Sequence, residues 1–375
     1  MQETSFPLEI IVHDDCSTDG TADIVRDYQN RHPTLIKAIL QTENQKSKGR
    51  MVFPITFEHA RGKYIAMCEG DDYWTDTHKL QKQVEFLEAH PECSMCFHDV
   101  KELDNGGQER VSLSGNGQEI STISDVLSEN FISTCSVMFR NGLVTDLPEW
   151  YLKLPIGDWP MYILLAQYGS IGYLAEAMAN YRVHGQGVWS SQKEVDRLHV
   201  NLQVYSVVDS HLGPEHHGTV QRAIGRTRFE QAAAVWATED IRFASSLMQV
   251  LLQTESLPNT DLSTWILRTA WKYEVFTGEK LATDFLMWVC DQIEIVRPKD
   301  KRAKDLCRRA KEQWYLAHAF QASKLENRGK TIIAGIQSVR LNWRNARNPG
   351  LVFIVASAMF GDNFAGAMRA ARKTV

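Results

Sequence analysis

Short apolar runs alternate with helical repeats along the first half of the chain. Runs at residues 8–12, 36–40 and 64–68 have the length and composition of buried β-strands. Between the first two, residues 21–32 repeat apolar side chains on one helical face, and Pro33 ends the pattern. A strand, a helix and a strand in this order are typical of α/β folds.

The strand predicted at 64–68 runs directly into Glu69, Asp71 and Asp72. Like charges this close repel and raise each other's pKa, and a bound divalent cation would remove that cost. Hard oxygen ligands suit Mg²⁺ or Mn²⁺. Because ligands bind at the carboxyl ends of strands in open α/β sheets, a metal and ligand site is expected here. The alternative is a solvated acidic turn before a helix.

A helix follows this acidic edge. Thr75 or Asp76 can cap it, apolar residues recur along it at helical spacing, and it ends before Pro91. Residues 94–98 and 134–139 predict two further strands. The acidic edge therefore lies within a βαβ unit, at the end of the strand where ligands bind.

Three more acids stand at the ends of predicted elements. Asp14 and Asp15 follow the strand at 8–12, which puts them at the same end of one expected parallel sheet as the acidic edge. Asp158 precedes an apolar helix start at 161–166. Turn formation and helix capping are the ordinary uses of Asp at such places, and they remain open as alternatives.

From about residue 192 the strand-like patterns thin out and helical periodicity takes over. Helices are predicted at 198–212, 220–236, 243–252, 265–276, 281–295, 303–325 and 331–343. They show no fixed period, so a repeat array is not expected. The chain is predicted to divide into an α/β domain at 1–191 and a helical domain at 192–375.

The composition is that of a globular protein with a sizeable core, since 43% of the 375 residues are hydrophobic and 10% are aromatic. The net charge of −5 is unevenly spread. Residues 297–347 hold fourteen Lys/Arg against four Asp/Glu, a net of +10, whereas residues 1–296 sum to −17. A basic C-terminal face would suit phosphates, nucleic acid or anionic lipid, and a merely solvated basic face is the alternative.

Cysteine usage and hydropathy bear on the compartment. Seven cysteines are an odd number without the density of a disulfide framework, which indicates a reducing compartment. Cys93 and Cys96 have no second pair at zinc-site spacing and are interpreted as core residues. The longest apolar run, Leu351 to Phe360, has ten residues, too few to span a bilayer. The N-terminus has no signal-peptide pattern, so a cytoplasmic protein is expected.

Three segments together resemble one known family. Residues 9–21, 62–74 and 79–87, in that order, resemble the family-2 inverting glycosyltransferases with the GT-A fold, and the likeness extends over the predicted α/β domain. The resemblance implies a Rossmann-like, mostly parallel sheet of GT-A type flanked by helices, followed by an all-α C-terminal extension. It also implies a nucleotide sugar bound across the carboxyl edge of the sheet.

The resemblance assigns roles to the acids residue by residue. Asp15 would contact the base or ribose of the nucleotide. Glu69 and Asp71 take the two acidic positions of an Asp-x-Asp motif, with Glu in place of the commoner first Asp. Asp71 is the expected ligand of Mg²⁺ or Mn²⁺, and Glu69 and Asp72 are expected to bind the nucleotide sugar.

Two later segments complete the implied site. Asp158, which follows Gly157, matches the acid that serves this family as catalytic base toward the acceptor hydroxyl. Arg182, His184 and Trp189 belong to a segment similar to the one that closes over the diphosphate. Arg182 and His184 share one side of an extended segment, which suits gripping a pyrophosphate.

The sequence therefore predicts a glycosyltransferase of polysaccharide biosynthesis at the cell envelope. It would move a sugar from a UDP- or dTDP-sugar to a saccharide or lipid-linked acceptor hydroxyl, with inversion, a divalent metal and an Asp base. The basic C-terminal region would allow peripheral contact with the inner face of the plasma membrane, and no nucleic-acid partner is expected. The alternatives are a sugar nucleotidyltransferase and a helical interaction protein with an inactive transferase domain.

The resemblance also implies a missing beginning. The family's sheet starts with a strand and a helix upstream of the strand at 8–12, whereas seven residues precede Leu8 here. An upstream extension of about 25–35 residues is therefore expected. Without it, the strand at 8–12 would expose an apolar edge, and the chain would be poorly soluble and weakly active.

Overall fold

The computed structural model describes residues 2–104, 106–112, 118–185, 187, 189–253, 259–277, 279–324 and 327–360. The chain forms two compact units, Met1–Ile224 and Gly225–Val375.

The first unit contains strands and helices. Its strands are β1 (Ile10–Asp14), β2 (Ile36–Leu40), β3 (Tyr64–Ala66), β4 (Tyr73–Trp74), β5 (Cys93–Asp104), β6 (Glu109–Ser112), β7 (Ile120–Ser121), β8 (Met138–Arg140) and β9 (Ser170–Val183). Its helices are α1 (Thr21–Arg31), α2 (Phe53–Phe57), α3 (Lys79–Ala89), α4 (Ile123–Ser128), α5 (Glu149–Leu152), α6 (Asp158–Leu165) and α7 (Glu194–His211). A further helix, α8 (Pro214–Trp236), runs across the division between the units.

A seven-stranded sheet forms the centre of the first unit. Its main path is β3-β8-β5-β9-β4, with β6 added to β5 and β7 added to β9. β5 and β9 are parallel, and the other pairs in this sheet are antiparallel. Short connections such as the one between β5 and β6 reverse the chain and give antiparallel neighbours. The predicted α/β class with a helical extension is confirmed, and the strand directions within this sheet are mixed.

β1 and β2 form a separate, parallel two-stranded sheet. The expectation that the strands at 8–12 and 64–68 share one sheet is therefore corrected. Within the described part of the chain, no ladder of backbone hydrogen bonds joins β1 to β3. A side-chain contact links the two regions instead, because the backbone N–H of Arg61 donates to Glu9 Oε1 at 2.7 Å.

Two local differences from expectation lie beside the acidic edge. The helix expected to begin at Thr75 or Asp76 begins at Lys79, because the preceding residues form β4 on the edge of β9. Residues 134–136, expected as strand, form a 3₁₀ turn before β8.

Side chains account for this 3₁₀ turn. Trp74 Nε1 donates to the Cys135 carbonyl at 3.0 Å, and Gln83 Nε2 donates to the Ser136 carbonyl at 2.8 Å. Backbone groups satisfied in this way need no partner strand. The pairing of β8 accordingly starts only at Met138.

The core of the first unit lies between the sheet and the helices that follow β6. Phe97 of β5, Trp159 and Tyr162 of α6, and Tyr205 of α7 are buried there, together with residues of α4. The start of α8 joins the same core. The first compact unit therefore includes α7 and the start of α8, while the sequence-based domain boundary at 191/192 stays a prediction.

The second unit is helical in its described part. Its further helices are α9 (Ile241–Gln253), α10 (Asn259–Thr277), α11 (Glu279–Val296), α12 (Lys301–Lys324), α13 (Arg328–Leu341) and α14 (Pro349–Phe360), with a 3₁₀ turn at Trp343–Arg347. An aromatic cluster forms its core, with ring centroids between 5.1 and 6.2 Å apart, from Phe229, Trp236, Tyr273, Phe285 and Trp288. None of the described helices is both long and apolar enough to cross a bilayer.

Candidate active site

The acidic edge lies in the loop between β3 and β4. Because β4 pairs with β9, this loop runs beside the end of β9. There the backbone N–H of Arg182 donates to Asp72 Oδ1 at 2.8 Å, and His184 Nε2 lies 2.9 Å from Asp71 Oδ2. The pairing of the two-residue strand β4 with the long strand β9 thus brings the predicted closing segment onto the predicted metal-binding acids.

The Arg182 side chain is positioned by aromatic and polar neighbours. Its guanidinium carbon lies 5.2 Å from the centre of the Tyr73 ring, and the Tyr73 hydroxyl accepts from Asn180 Nδ2 at 2.7 Å. Burial raises the pKa of Asp72, while the backbone N–H and the positive charge of Arg182 oppose this rise. Arg182 thus favours the ionised form of Asp72 through both its backbone N–H and its positive charge.

Glu69 is partly buried near Asp158. Burial, followed by the negative charge of Asp158, raises the pKa of Glu69 to about 8. Burial also raises the pKa of Asp158, while nearby backbone N–H groups, the Thr134 hydroxyl and the charge of Lys46 oppose the rise. Thr134 Oγ1 donates to Asp158 Oδ2 at 3.4 Å. Neighbouring carboxyls of this kind are common where a protein handles protons or cations.

Close packing determines where Asp158 lies at the start of α6. A Cβ atom on Gly157 would lie 2.5 Å from both the Met51 sulfur and the Phe53 ring, so glycine is required at this approach. The Tyr151 hydroxyl donates to the Gly157 carbonyl at 3.0 Å. These contacts hold the start of α6 against the segment that follows the 3₁₀ turn at residues 46–48.

Asp15 follows β1 and is bound by the loop after β2. Its carboxylate accepts hydrogen bonds from the backbone N–H groups of Gln45 at 2.7 Å and of Lys46 at 3.0 Å. Lys46 links two predicted site residues, since its backbone binds Asp15 and its charge lowers the pKa of Asp158. The adjacent Asp14 is buried and accepts from the Ser17 N–H at 3.2 Å, as in a turn.

Most of the predicted site residues are therefore connected by contacts or by charge interactions. The connected residues are Asp15, Glu69, Asp71, Asp72, Asp158, Arg182 and His184. Trp189 is the exception: it lies in the turn after His184, and within the described residues its indole makes no hydrogen bond or ring contact with the acids. That turn is anchored by Ser190, whose hydroxyl donates to the His184 carbonyl at 2.6 Å.

The oxygen atoms of this edge fit a divalent cation that binds together with phosphate. Glu69 Oε2 and Asp72 Oδ2 are buried without a hydrogen-bond partner. No group of three or more His, Cys, Asp or Glu side chains is arranged for a metal within the described residues. Mg²⁺, however, is usually held by one or two carboxylates and completes its shell with water and substrate phosphates.

Sequence reasoning missed Thr134 and the buried group behind it. Lys79 is fully buried, and its Nζ donates to Gln83 Oε1 at 2.6 Å. The same Nζ lies 4.2 Å from the centre of the Trp74 ring. Burial lowers the pKa of Lys79 to about 8. Gln83 and Trp74 also bind the carbonyls of the 3₁₀ turn that carries Thr134. Lys79 and Gln83 lie in a segment that carried the family resemblance, but no local pattern indicated this supporting role.

Comparison with known proteins concerns the first half of the chain. Residues 1–146 match the family described as glycosyl transferase family 2. An uncharacterized protein of Mycobacterium tuberculosis is 38% identical over 192 residues, which cover 51% of this chain and 54% of that protein. The chain thus spans about half the length of this relative.

Two further relatives have names that state a reaction or a pathway. A putative teichuronic acid biosynthesis glycosyltransferase of Bacillus subtilis, TuaG, is 26% identical over 206 residues, covering 51% of this chain and 78% of that protein. The UDP-Glc:alpha-D-GlcNAc-diphosphoundecaprenol beta-1,3-glucosyltransferase WfaP of Escherichia coli is 35% identical over 90 residues, covering 24% of this chain and 33% of that protein.

Proposed function

Because residues 1–146 belong to glycosyl transferase family 2, we propose that this chain transfers a sugar from a nucleotide-sugar donor to an acceptor hydroxyl. One observation carries the proposal: Asp72 and Asp71 contact Arg182 and His184 at the acidic edge, and Glu69 of the same loop interacts with the charge of Asp158. Basic side chains of this kind can bind an anionic diphosphate. The carboxylates beside them can bind a cation or accept a hydroxyl proton.

In the proposed reaction, Asp158 accepts the proton of the acceptor hydroxyl as its oxygen attacks the anomeric carbon. The bond from that carbon to the diphosphate breaks, and its electron pair leaves with the nucleoside diphosphate. A single displacement inverts the anomeric configuration and needs no enzyme nucleophile. General-base assistance of this kind is worth about 10²–10⁴-fold in rate.

The other residues would bind and orient the donor. Asp15 would contact the nucleoside, and Arg182 and His184 would hold the diphosphate. Asp71 would hold Mg²⁺ or Mn²⁺ with Asp72 nearby, and a bound ion offsets the charge on the departing diphosphate. Glu69 and Trp189 would also bind the donor. For Glu69, the proposal is supported by its interaction with the charge of Asp158.

The names of the relatives support an envelope polysaccharide as the product. The Escherichia coli relative is named for a UDP-glucose donor and a diphosphoundecaprenol-linked acceptor. The Bacillus relative is named for teichuronic acid biosynthesis. A UDP- or dTDP-sugar as donor, and a saccharide or a lipid-linked saccharide as acceptor, form part of the proposal, as does work at the inner face of the plasma membrane.

A panel of UDP-, dTDP- and GDP-sugars, offered with and without Mn²⁺, tests this function. Asp71→Asn should weaken Mn²⁺-dependent donor binding by about 10–100-fold or more, because it removes a charged oxygen ligand. The exposed Asp146→Asn is the matched control and should bind like the wild type.

The products separate the proposal from its rivals. Release of nucleoside diphosphate on addition of acceptor supports sugar transfer. Pyrophosphate formation from a nucleoside triphosphate and a sugar phosphate would instead identify a nucleotidyltransferase. If no nucleotide sugar binds under any of these conditions, the proposal is wrong, and an inactive transferase domain is the better interpretation.

A further inference from the structure

One helix face in the second unit exposes aliphatic groups beside an arginine. Ile333, Ile336 and Arg340 recur along α13 at i, i+3 and i+7, so they lie on one side of the helix. Ile333 is 63% exposed and Ile336 is 41% exposed. The other side of α13 is buried, and its Ala334 packs in a cluster with Leu351 of α14. The exposed face is therefore not the one that holds the fold together.

The 3₁₀ turn that directly follows α13 carries further exposed groups. Trp343 is 60% exposed, and the guanidinium carbon of Arg347 lies 4.7 Å from the centre of its ring. We call the combined region the arginine–tryptophan surface; it consists of Ile333, Ile336, Arg340, Trp343, Arg344 and Arg347. Ile333, Ile336 and Trp343 are large apolar side chains exposed within eleven residues of the chain, and exposed apolar groups of this kind mark surfaces that contact something else.

The three arginines of this surface differ in their ion pairing from other basic residues of the same segment. Arg340, Arg344 and Arg347 have no ion-pair partner among the described residues. Elsewhere in the same basic segment, Arg308 pairs with an acid of its own helix, and Lys330 pairs with an acid of α11. The charge of this surface is therefore available for a ligand of opposite sign.

We propose that the arginine–tryptophan surface docks the second unit on an anionic lipid bilayer. Arginine binds phosphate oxygens in a bidentate manner, and tryptophan is suited to the boundary between headgroups and acyl chains. Aliphatic side chains beside them enter the outer part of the acyl region. A single-stranded nucleic acid would engage the arginines and the indole, but it offers no apolar volume to Ile333 and Ile336.

The inference goes beyond the proposed transfer reaction and does not rest on it. It concerns residues of the second unit alone, and vesicle binding requires neither donor nor turnover. Co-sedimentation of the full chain with phosphatidylcholine vesicles, or with vesicles that also contain phosphatidylglycerol, measures it directly. The wild type should bind the anionic vesicles and should be released as the salt concentration rises.

Two variants separate charge from insertion. The triple variant Arg340→Gln, Arg344→Gln, Arg347→Gln should partition onto anionic vesicles roughly 100-fold more weakly, since each basic residue near such a surface adds about fivefold. Trp343→Ser should lower vesicle binding at every salt concentration, because it removes an apolar contribution to binding that does not depend on charge.

The matched control removes three positive charges from the first unit with Arg26→Gln, Arg31→Gln and Lys153→Gln. These residues are exposed, and circular dichroism should show that both triple variants are folded. The proposal is overturned if the two triple variants bind anionic vesicles equally well. It is also overturned if wild type binds no vesicle at low salt, or if it binds a single-stranded oligonucleotide and no vesicle.

Discussion

Two buried histidines show how differently the two units are built. In the first unit, His98 is fully buried, its Nδ1 contacts the Asp99 carbonyl, and its Nε2 has no hydrogen-bond partner. Burial, followed by the charge of Lys79, lowers the pKa of His98 to about 3. In the second unit, both ring nitrogens of His318 have partners, Trp314 O at 2.9 Å and Glu274 Oε1 at 3.0 Å.

The same contrast extends to the surroundings of each histidine. The first unit buries Lys79, which donates to Gln83, and it leaves Glu69 Oε2 and Asp72 Oδ2 without a hydrogen-bond partner at the acidic edge. The second unit stacks His318 on Trp271, with ring centroids 5.2 Å apart, and fills its core with the aromatic cluster. Buried polar groups without partners cost stability, and they are retained most often where a protein binds or reacts. Asp261 Oδ2 and Glu274 Oε2 of the second unit are also buried without a partner, so the contrast lies in where such atoms occur: in the first unit two of them belong to the acidic edge.

The largest effect is expected at Asp158. Asp158→Asn should reduce turnover by about 10²–10⁴-fold while leaving donor binding in place, because the amide keeps the shape but accepts no proton. Asp196→Asn is a matched control, as Asp196 is an exposed acid in the first turn of α7. Steady-state kinetics and donor titration decide between the outcomes. Near-normal turnover of Asp158→Asn would show that Asp158 is not the catalytic base.

A large loss of folding stability is expected when the aromatic cluster is truncated. Phe285 is fully buried and packs edge-on against Phe229, Trp236 and Tyr273. Phe285→Ala should lower the free energy of unfolding by about 3–5 kcal/mol, measured by chemical denaturation. Phe243→Ala, at a site that is 51% exposed, should change it by less than about 0.5 kcal/mol. Equal effects would contradict the structural role given to this cluster.

A smaller, pH-dependent effect is expected at Lys79. Burial lowers its pKa from 10.5 to about 8, so between these values the unfolded chain holds a proton that the folded protein has released. The stability of the wild type relative to Lys79→Met should therefore rise with pH across this interval, by at most about 3 kcal/mol. Denaturation midpoints of both proteins, compared below and above this interval, measure the difference. A difference that is constant with pH would show that Lys79 is not a buried, destabilising charge.

The smallest effect is expected at Thr134. Thr134→Val removes the hydroxyl that opposes the rise of the Asp158 pKa, so this pKa should increase further. Since Asp158 must be ionised to accept a proton, the acidic limb of kcat/KM should move to higher pH, with a fall of about 3–10-fold at neutral pH. Thr134→Ser keeps the hydroxyl and should retain the wild-type profile. If Thr134→Ser and Thr134→Val give the same pH profile, the Thr134 hydroxyl does not affect the pKa of Asp158 and Thr134 acts only through packing.

Most elements of the fold were predictable because their signals are local. The helices α1 and α9 to α13 carry apolar residues at helical spacing, and their ends lie within three residues of the predicted bounds, except that α10 begins six residues earlier, at Asn259. The 3₁₀ turn at 134–136 was predicted as strand, since its residues are apolar or small and nothing local shows that Trp74 and Gln83 bind its carbonyls. β4 was missed because two residues are too few to form a periodic pattern.

The sequence by itself determined that Asp15, Glu69, Asp71 and Asp72 stand just after apolar strand segments, although β1 and β3 belong to different sheets and not to the single sheet that was expected. It also determined the helical character and the basic charge of the C-terminal half, because composition and periodicity are properties of the chain alone. Only the tertiary structure decided that Thr134 touches Asp158, because this contact depends on long-range packing. Burial, likewise, is created by the rest of the fold. It is the main cause of the pKa values that distinguish Lys79 and His98 from exposed residues of the same type, and the charge of Lys79 adds to it at His98.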